Sequence, residues 1–134
     1  MQPLFELKNK KAVDLSVFDK MKKAAAELLA DAEIGNYTQA IVLCSATGNQ
    51  YGAVINDPLS KEKEDEKNLI ERLRTANDTE ISFALCMWQD KGIDIPSYAF
   101  RDLICSLNSK NADSLLFVMT EDGVSGIKLS ATMK

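Results

Sequence analysis

Two stretches of the chain carry the side chains with the clearest chemical potential. In the first, Glu62, Glu64, Asp65 and Glu66 crowd the opening turns of an expected helix. Converging carboxylates can hold a hard cation such as Mg²⁺ or Ca²⁺, but four acids on one helix spread around its axis. Glu66 differs from its neighbours because positions 66, 70 and 73 share one helix face that is otherwise apolar. That position sets it apart, and the competing reading is an acidic turn that complements the helix macrodipole. In the second stretch, Pro96-Ser97-Tyr98-Ala99-Phe100-Arg101-Asp102 opens a helix directly after a strand, which is where α/β folds place their chemistry. Trp88 closes that strand and could stack on a planar ligand, or simply fill core or interface. Histidine is absent, which removes the usual general base, the commonest zinc ligand and every Ser-His or Cys-His dyad. Cys44 and Cys86 lie in apolar runs and read as buried structural thiols. Cys105 falls opposite an apolar helix stripe with Tyr98, Arg101 and Asp102, a set that suits an oligomer contact or a partly exposed turn. Thr47-Gly48-Asn49 is too short for a phosphate loop and lacks its lysine.

The elements that must position these residues follow from periodicity. Asp14 is a good N-cap for a helix to about Glu33, with the stripe Phe18, Met21, Ala25, Leu28 and Ala32, stopped by Gly35. Phe5 and Leu7 alternate with polar residues as in a short edge strand. Tyr37 to Ser45 and Gln50 to Asn56 read as a hairpin around Thr47-Gly48-Asn49. Asp57-Pro58-Leu59-Ser60 stops it, and Ser60 caps a helix with the stripe Leu69, Ile70, Leu73 and Ala76. Asn77-Asp78 breaks that helix before the strand Ile81 to Trp88. After the Asp90-Lys91-Gly92 turn, Pro96 is expected in the first turn of a helix with the stripe Ala99, Phe100, Leu103, Ile104 and Leu107. Ser114 to Thr120, an Asp122-Gly123 turn and a last strand-like segment complete the order α-β-β-α-β-α-β-β. This order predicts one domain spanning 1–134, a three-layer α/β/α sandwich around a mixed five-stranded sheet.

Composition narrows the function classes. The chain has 134 residues, 27% of them charged and 46% hydrophobic, as in an ordinary globular domain. A net charge of −4 argues against a nucleic-acid surface. The lysine cluster at Lys8, Lys10, Lys11, Lys20, Lys22 and Lys23 reads as a solvated helix face and its approach. No stretch approaches membrane-spanning length, and the first residues carry no apolar leader, so neither a membrane nor a secretory route is expected. Three cysteines without a close-spaced pair fit reduced thiols and a cytoplasmic location.

With the elements in order, the chain resembles the small cytidine deaminases over roughly residues 18 to 123. Gly52 to Asp57, GAVIND, is similar to that family's G-x-N-I-E-N stretch. Glu66-Lys67 matches the end of its C/H-A-E-R motif, with Asp65 for the alanine. Pro96 to Asp102 looks like its P-C-x-x-C-R-Q. The hairpin turn is about one residue shorter than the family's, and the helix usual at the family's C-terminus is missing. The resemblance implies a zinc-activated water with a glutamate shuttling protons, here Glu66. The zinc-ligand positions fall on Glu64, Ser97 and Phe100, and phenylalanine has no donor atom, so no cofactor is expected. The ribose-binding positions fall on Val54 and Asn56, of which Asn56 can hydrogen-bond a sugar hydroxyl. The substrate-binding candidates are therefore Asn56, Trp88 and Ser97. Related enzymes pack subunits near the proline-started helix, which implies a homodimer or homotetramer with Tyr98, Arg101 and Cys105 at the contact. The expected function is a non-catalytic cytidine deaminase-like domain, a nucleoside or small-molecule binder or a regulatory oligomer. The alternatives are a hydrolase that keeps Glu66 as acid/base, and an assembly scaffold.

Overall fold

Asp14 caps the first helix as its position predicts, accepting from the Ser16 backbone N–H at 2.9 Å. This computed structural model describes residues 10–11, 13–32, 38–56, 64–121 and 123–133. The expected strand at Phe5 and Leu7, the Gly35 stop, the Asp57-Pro58-Leu59-Ser60 segment with its cap, Glu62 and the Asp122 turn position lie outside them. In order the elements are β1 (Lys10–Lys11), α1 (Leu15–Ala30), β2 (Thr38–Ser45), β3 (Gln50–Asn56) and α2 (Glu64–Thr75). They continue with β4 (Ile81–Trp88), β5 (Ile93–Asp94), α3 (Tyr98–Leu107), β6 (Leu115–Thr120) and β7 (Gly123–Lys128). Short 3-10 turns, Ser109–Asp113 and Leu129–Thr132, follow α3 and β7.

The strand order is β1-β7-β6-β4-β2-β3, with β5 paired to β4. Only β4 and β6 run parallel, and α3 supplies the crossover that a parallel pair needs. The mixed sheet between helical layers is thus as expected. Its five long strands are joined by two strands of two residues each, β1 and β5. Sequence periodicity has no signal for pieces that short. β5 exists because the chain folds back after β4, with Lys91 at a φ of 72° and the Trp88 N–H donating to the Gly92 carbonyl at 2.8 Å.

Each face of the sheet has its own core. On one face α1 lays Phe18, Met21, Ala25 and Leu29 over Val42, Leu85, Met87 and Phe117. Phe117 meets Phe18 edge-on at 5.1 Å and stacks on Phe83 at 5.5 Å. On the other face α2 and α3 cover Ile41, Leu43, Ile55 and Cys86 with Leu69, Ile70, Leu73, Phe100 and Ile104. Leu28 of α1 packs over Gly52 of β3, where a Cβ would stand 2.7 Å from its Cδ1.

Several stripe positions differ from the sequence expectation. In α1 Leu29 replaces Leu28 in the buried stripe, and the helix ends before Ala32 with Asp31 as its C-cap. In α2 the buried set is Glu66, Leu69, Ile70 and Leu73, while Ala76 lies exposed in the following turn. The helix α3 begins at Tyr98 with Ser97 as its cap, so Pro96 precedes the cap instead of sitting in the first turn. A serine oxygen satisfies an orphan N–H that proline cannot, which decides which residue opens the helix. Ala99 is exposed, and Cys105, expected on the far face, is half-buried against the α2–α3 core.

The Asn77-Asp78 break does more than end α2. Asn77 takes a φ of 52°, and Asp78 turns inward, where it is 8% exposed. Its carboxylate accepts from Ser45 Oγ (2.8 Å), Thr47 Oγ1 (3.0 Å), Asn49 Nδ2 (3.2 Å) and Tyr51 OH (2.8 Å). The β2–β3 hairpin is thereby tied to the end of α2. These donors, Tyr51 foremost and then Ser45, Asn49 and Thr47, hold the Asp78 carboxyl below the usual carboxylate range. A depressed folded-state pKa contributes stability that is full above the unfolded value and lost as pH falls through the folded one. Asp78→Ala should therefore lower the melting temperature at neutral pH. The gap to the native chain should narrow as pH falls below about 4, as followed by thermal melts across an acid series.

Candidate functional site

The end of β4, the start of α3 and the first turn of α2 meet on one face of the sheet. Glu66 is 2% exposed, while Glu64 and Asp65 on the same turn face solvent. Burial therefore separates Glu66 from the acidic turn around it. Ser97 Oγ donates to Glu66 Oε2 at 3.4 Å and accepts from the Phe100 N–H at 3.2 Å. One hydroxyl thus caps α3 and links it to α2. Phe100 is fully buried and its ring belongs to the core under both helices.

Cys86 lies beneath these helix starts, paired across the sheet with Ile41 and Asp94. Burial, then the charges of Asp94 and Glu66, push its thiol far above the ordinary range. A thiolate ligand or nucleophile needs the opposite shift. Trp88 Nε1 donates to Asp94 Oδ2 at 3.1 Å, which fixes the indole at the mouth of the β4–β5 turn. Asn56 does not join this group. Strand alternation puts it with Gly52 and Val54 on the α1 face, where its Oδ1 accepts from Thr38 Oγ1 at 3.2 Å. A groove of about 560 Å³ between α1 and β3, lined partly by Leu28, Val42 and Val54, lies on that face as well, away from Glu66.

Of the contact candidates, Arg101 is engaged within the chain. Its Nε donates to the Pro96 carbonyl at 3.0 Å and its Nη1 to the Thr132 carbonyl at 2.8 Å, clasping the C-terminal 3-10 turn to the start of α3. Tyr98 is 56% exposed beside it, with the guanidinium 5.5 Å from the ring centre. Cys105 is half-buried. One polar residue escaped the sequence reading: Gln39, 3% exposed in β2 directly across from Trp88. Its only sequence signal is an amide at the head of an apolar strand run.

The side chains do not fit the zinc that the resemblance implies. Of the three ligand positions, Glu64 points to solvent, Ser97 Oγ is committed to the helix cap, and Phe100 is core. Among the described residues no group of three or more His, Cys, Asp or Glu side chains is arranged to hold a metal ion. Among them also, no helix is long and apolar enough to cross a membrane. Because Ser97 caps α3, Ser97→Ala should cost about 1 kcal/mol in urea unfolding and Ser97→Gly only a few tenths. Equal stability of all three forms would show the hydroxyl free for another role.

No family model matches the sequence, and no curated protein matches it. Solved structures do match the fold. The cytidine deaminase of Mycobacterium leprae superposes with a TM-score of 0.61 at 16% identity, covering 81% of this chain and 92% of that one. The cytidine deaminase of Mycobacterium tuberculosis gives 0.61 at 11% identity, covering 84% and 90%. That of Burkholderia pseudomallei gives 0.61 at 13% identity, covering 84% and 92%. The layers, the mixed sheet and these superpositions agree: the chain has a cytidine deaminase-like fold.

Proposed function

We propose that this chain is a non-catalytic cytidine deaminase-like domain, a zinc-free pseudoenzyme that binds a nucleoside or related small molecule and acts as a cytoplasmic homo-oligomer. The observation that carries this reading is the content of the three zinc-ligand positions. A solvent-facing carboxylate, a capping hydroxyl and a buried phenyl ring cannot together replace the three protein ligands of a catalytic zinc. The site at the helix starts keeps a buried carboxylate, a hydroxyl and an indole, which suits recognition of a small polar ring. The exposed Tyr98 ring supports the oligomer, because large aromatics are enriched at protein contacts.

One observation favours a second reading, a hydrolase that uses Glu66 without zinc: Glu66 is buried where Glu64 and Asp65 are exposed. In that case Glu66→Gln abolishes turnover with little change in melting temperature. Full activity in the variant removes the idea.

The primary test is metal analysis of chelator-free protein together with a deamination assay on cytidine and deoxycytidine. The expected outcome is neither stoichiometric zinc nor turnover. A bound nucleoside should stabilise the fold by about 2.7 kcal/mol at a hundredfold excess over its Kd. Zinc with turnover would overturn the reading. Sedimentation of the Tyr98→Ala variant should show a weakened assembly, and a native chain that is monomeric at every concentration would remove the oligomer.

A further inference from the structure

Among the described residues, the fully enclosed side-chain polar atoms are bonded with one exception. Asn111, fully buried, accepts from the Ile81 N–H at 2.7 Å and donates to the carbonyls of Thr79 at 2.9 Å and Ile104 at 3.0 Å. Asp78 has its hydroxyl and amide donors. Among the described residues, Gln39 Oε1 is the buried side-chain polar atom without a hydrogen-bond partner. An acceptor left unsatisfied out of water carries a desolvation cost that a methionine of similar size would avoid.

Its position says what such an acceptor is for. In β2 the side chains of Ile41 and Leu43 enter the α2–α3 core, and alternation sends Gln39 to the same face. It lies across from Ile55 of β3 and Trp88 of β4, one inward position beyond the Ile41–Cys86 pair. Cys86 shares its core with Phe100, whose N–H is held by Ser97, and Ser97 reaches Glu66. The amide therefore sits in the strand layer beneath the helix starts, at the Trp88 end of the candidate site.

We propose that Gln39 is a ligand-recognition residue of this site, its side-chain carbonyl accepting from an N–H or O–H donor on a small uncharged or cationic molecule. The proposal rests on reading this end of the sheet as a ligand site. Glu66 and Asp94, both acidic, flank it, and Arg101 is engaged with backbone carbonyls, so a carboxylate or phosphate is disfavoured there. The unpaired Gln39 carbonyl is an acceptor, so a donor is what the ligand has to bring.

The test is Gln39→Met in the full chain, read by thermal melting without ligand and with cytidine, free cytosine or ribose. Without ligand the variant should melt about 4 °C higher, since the unpaired acceptor is gone. The native chain should be stabilised by at least one of the three probes, and the variant should bind that probe about tenfold more weakly. A variant that melts no higher than the native chain would mean that water satisfies the carbonyl, and the proposal falls. It falls equally if the variant binds the probe as well as the native chain, or if the native chain answers none of the three. Silence of the native chain toward all three probes also removes the nucleoside-binding reading, whereas a native response that the variant shares removes only the role of Gln39; zinc content and turnover are read separately from both.

Discussion

The central strands β2 and β4 lie side by side with a helical layer on each face, and every residue of β2 is buried. Backbone groups in such a place are satisfied only by the neighbouring strands, and side chains on both faces must be apolar or individually bonded. This two-sided burial dictates the remainder. It demands one apolar stripe from α1 and two from α2 and α3, and it sets the register that brings the end of β4 under the starts of the α2 and α3 helices. Polar residues in these strands collect at the ends: Thr38 and Gln39 at one, Ser45 at the other.

The two ends meet the constraint differently. At the end near Ser45, Asp78 gathers four side-chain donors, and nearby Asn111 ties the chain after α3 to the start of β4. That end is closed by internal bonds. At the other end α2 and α3 meet through a long hydrogen bond from Ser97 to Glu66 and through apolar packing that includes Phe100. A metal at such a place would link the helices through their ligands. In this chain the positions there carry the Ser97 cap and the Phe100 ring, with Trp88 turned to Asp94.

The exposed and half-exposed parts of the site carry the chain's specific character. Trp88 is held by Asp94, a residue of the two-residue strand β5, which exists only because the chain doubles back after the Asp90-Lys91-Gly92 turn. Arg101 joins the start of α3 to the turn at Thr132, so the far C-terminal residues help to position Pro96 and Ser97. The site thus depends on segments from both halves of the chain.

Periodicity alone determined the helices, the five long strands and the α/β/α class, because burial on one or two faces writes a period of 3.6 or an apolar run directly into residue order. The Asp14 cap, the buried Cys44 and Cys86 and the distinct face of Glu66 were legible for the same reason. Tertiary structure decided what depends on distance across the chain. It made Ser97 the cap and left Pro96 ahead of it instead of in the first turn, moved Ala76 and Ala99 to the surface, and drew Cys105 toward the core. It assembled four donors from the hairpin around Asp78, separated Asn56 from Glu66 by strand face, and left the Gln39 carbonyl without a donor. Hydrogen bonds between residues far apart in sequence leave no periodic trace, so a polar side chain in an apolar run reads the same whether it is satisfied or waiting for a partner.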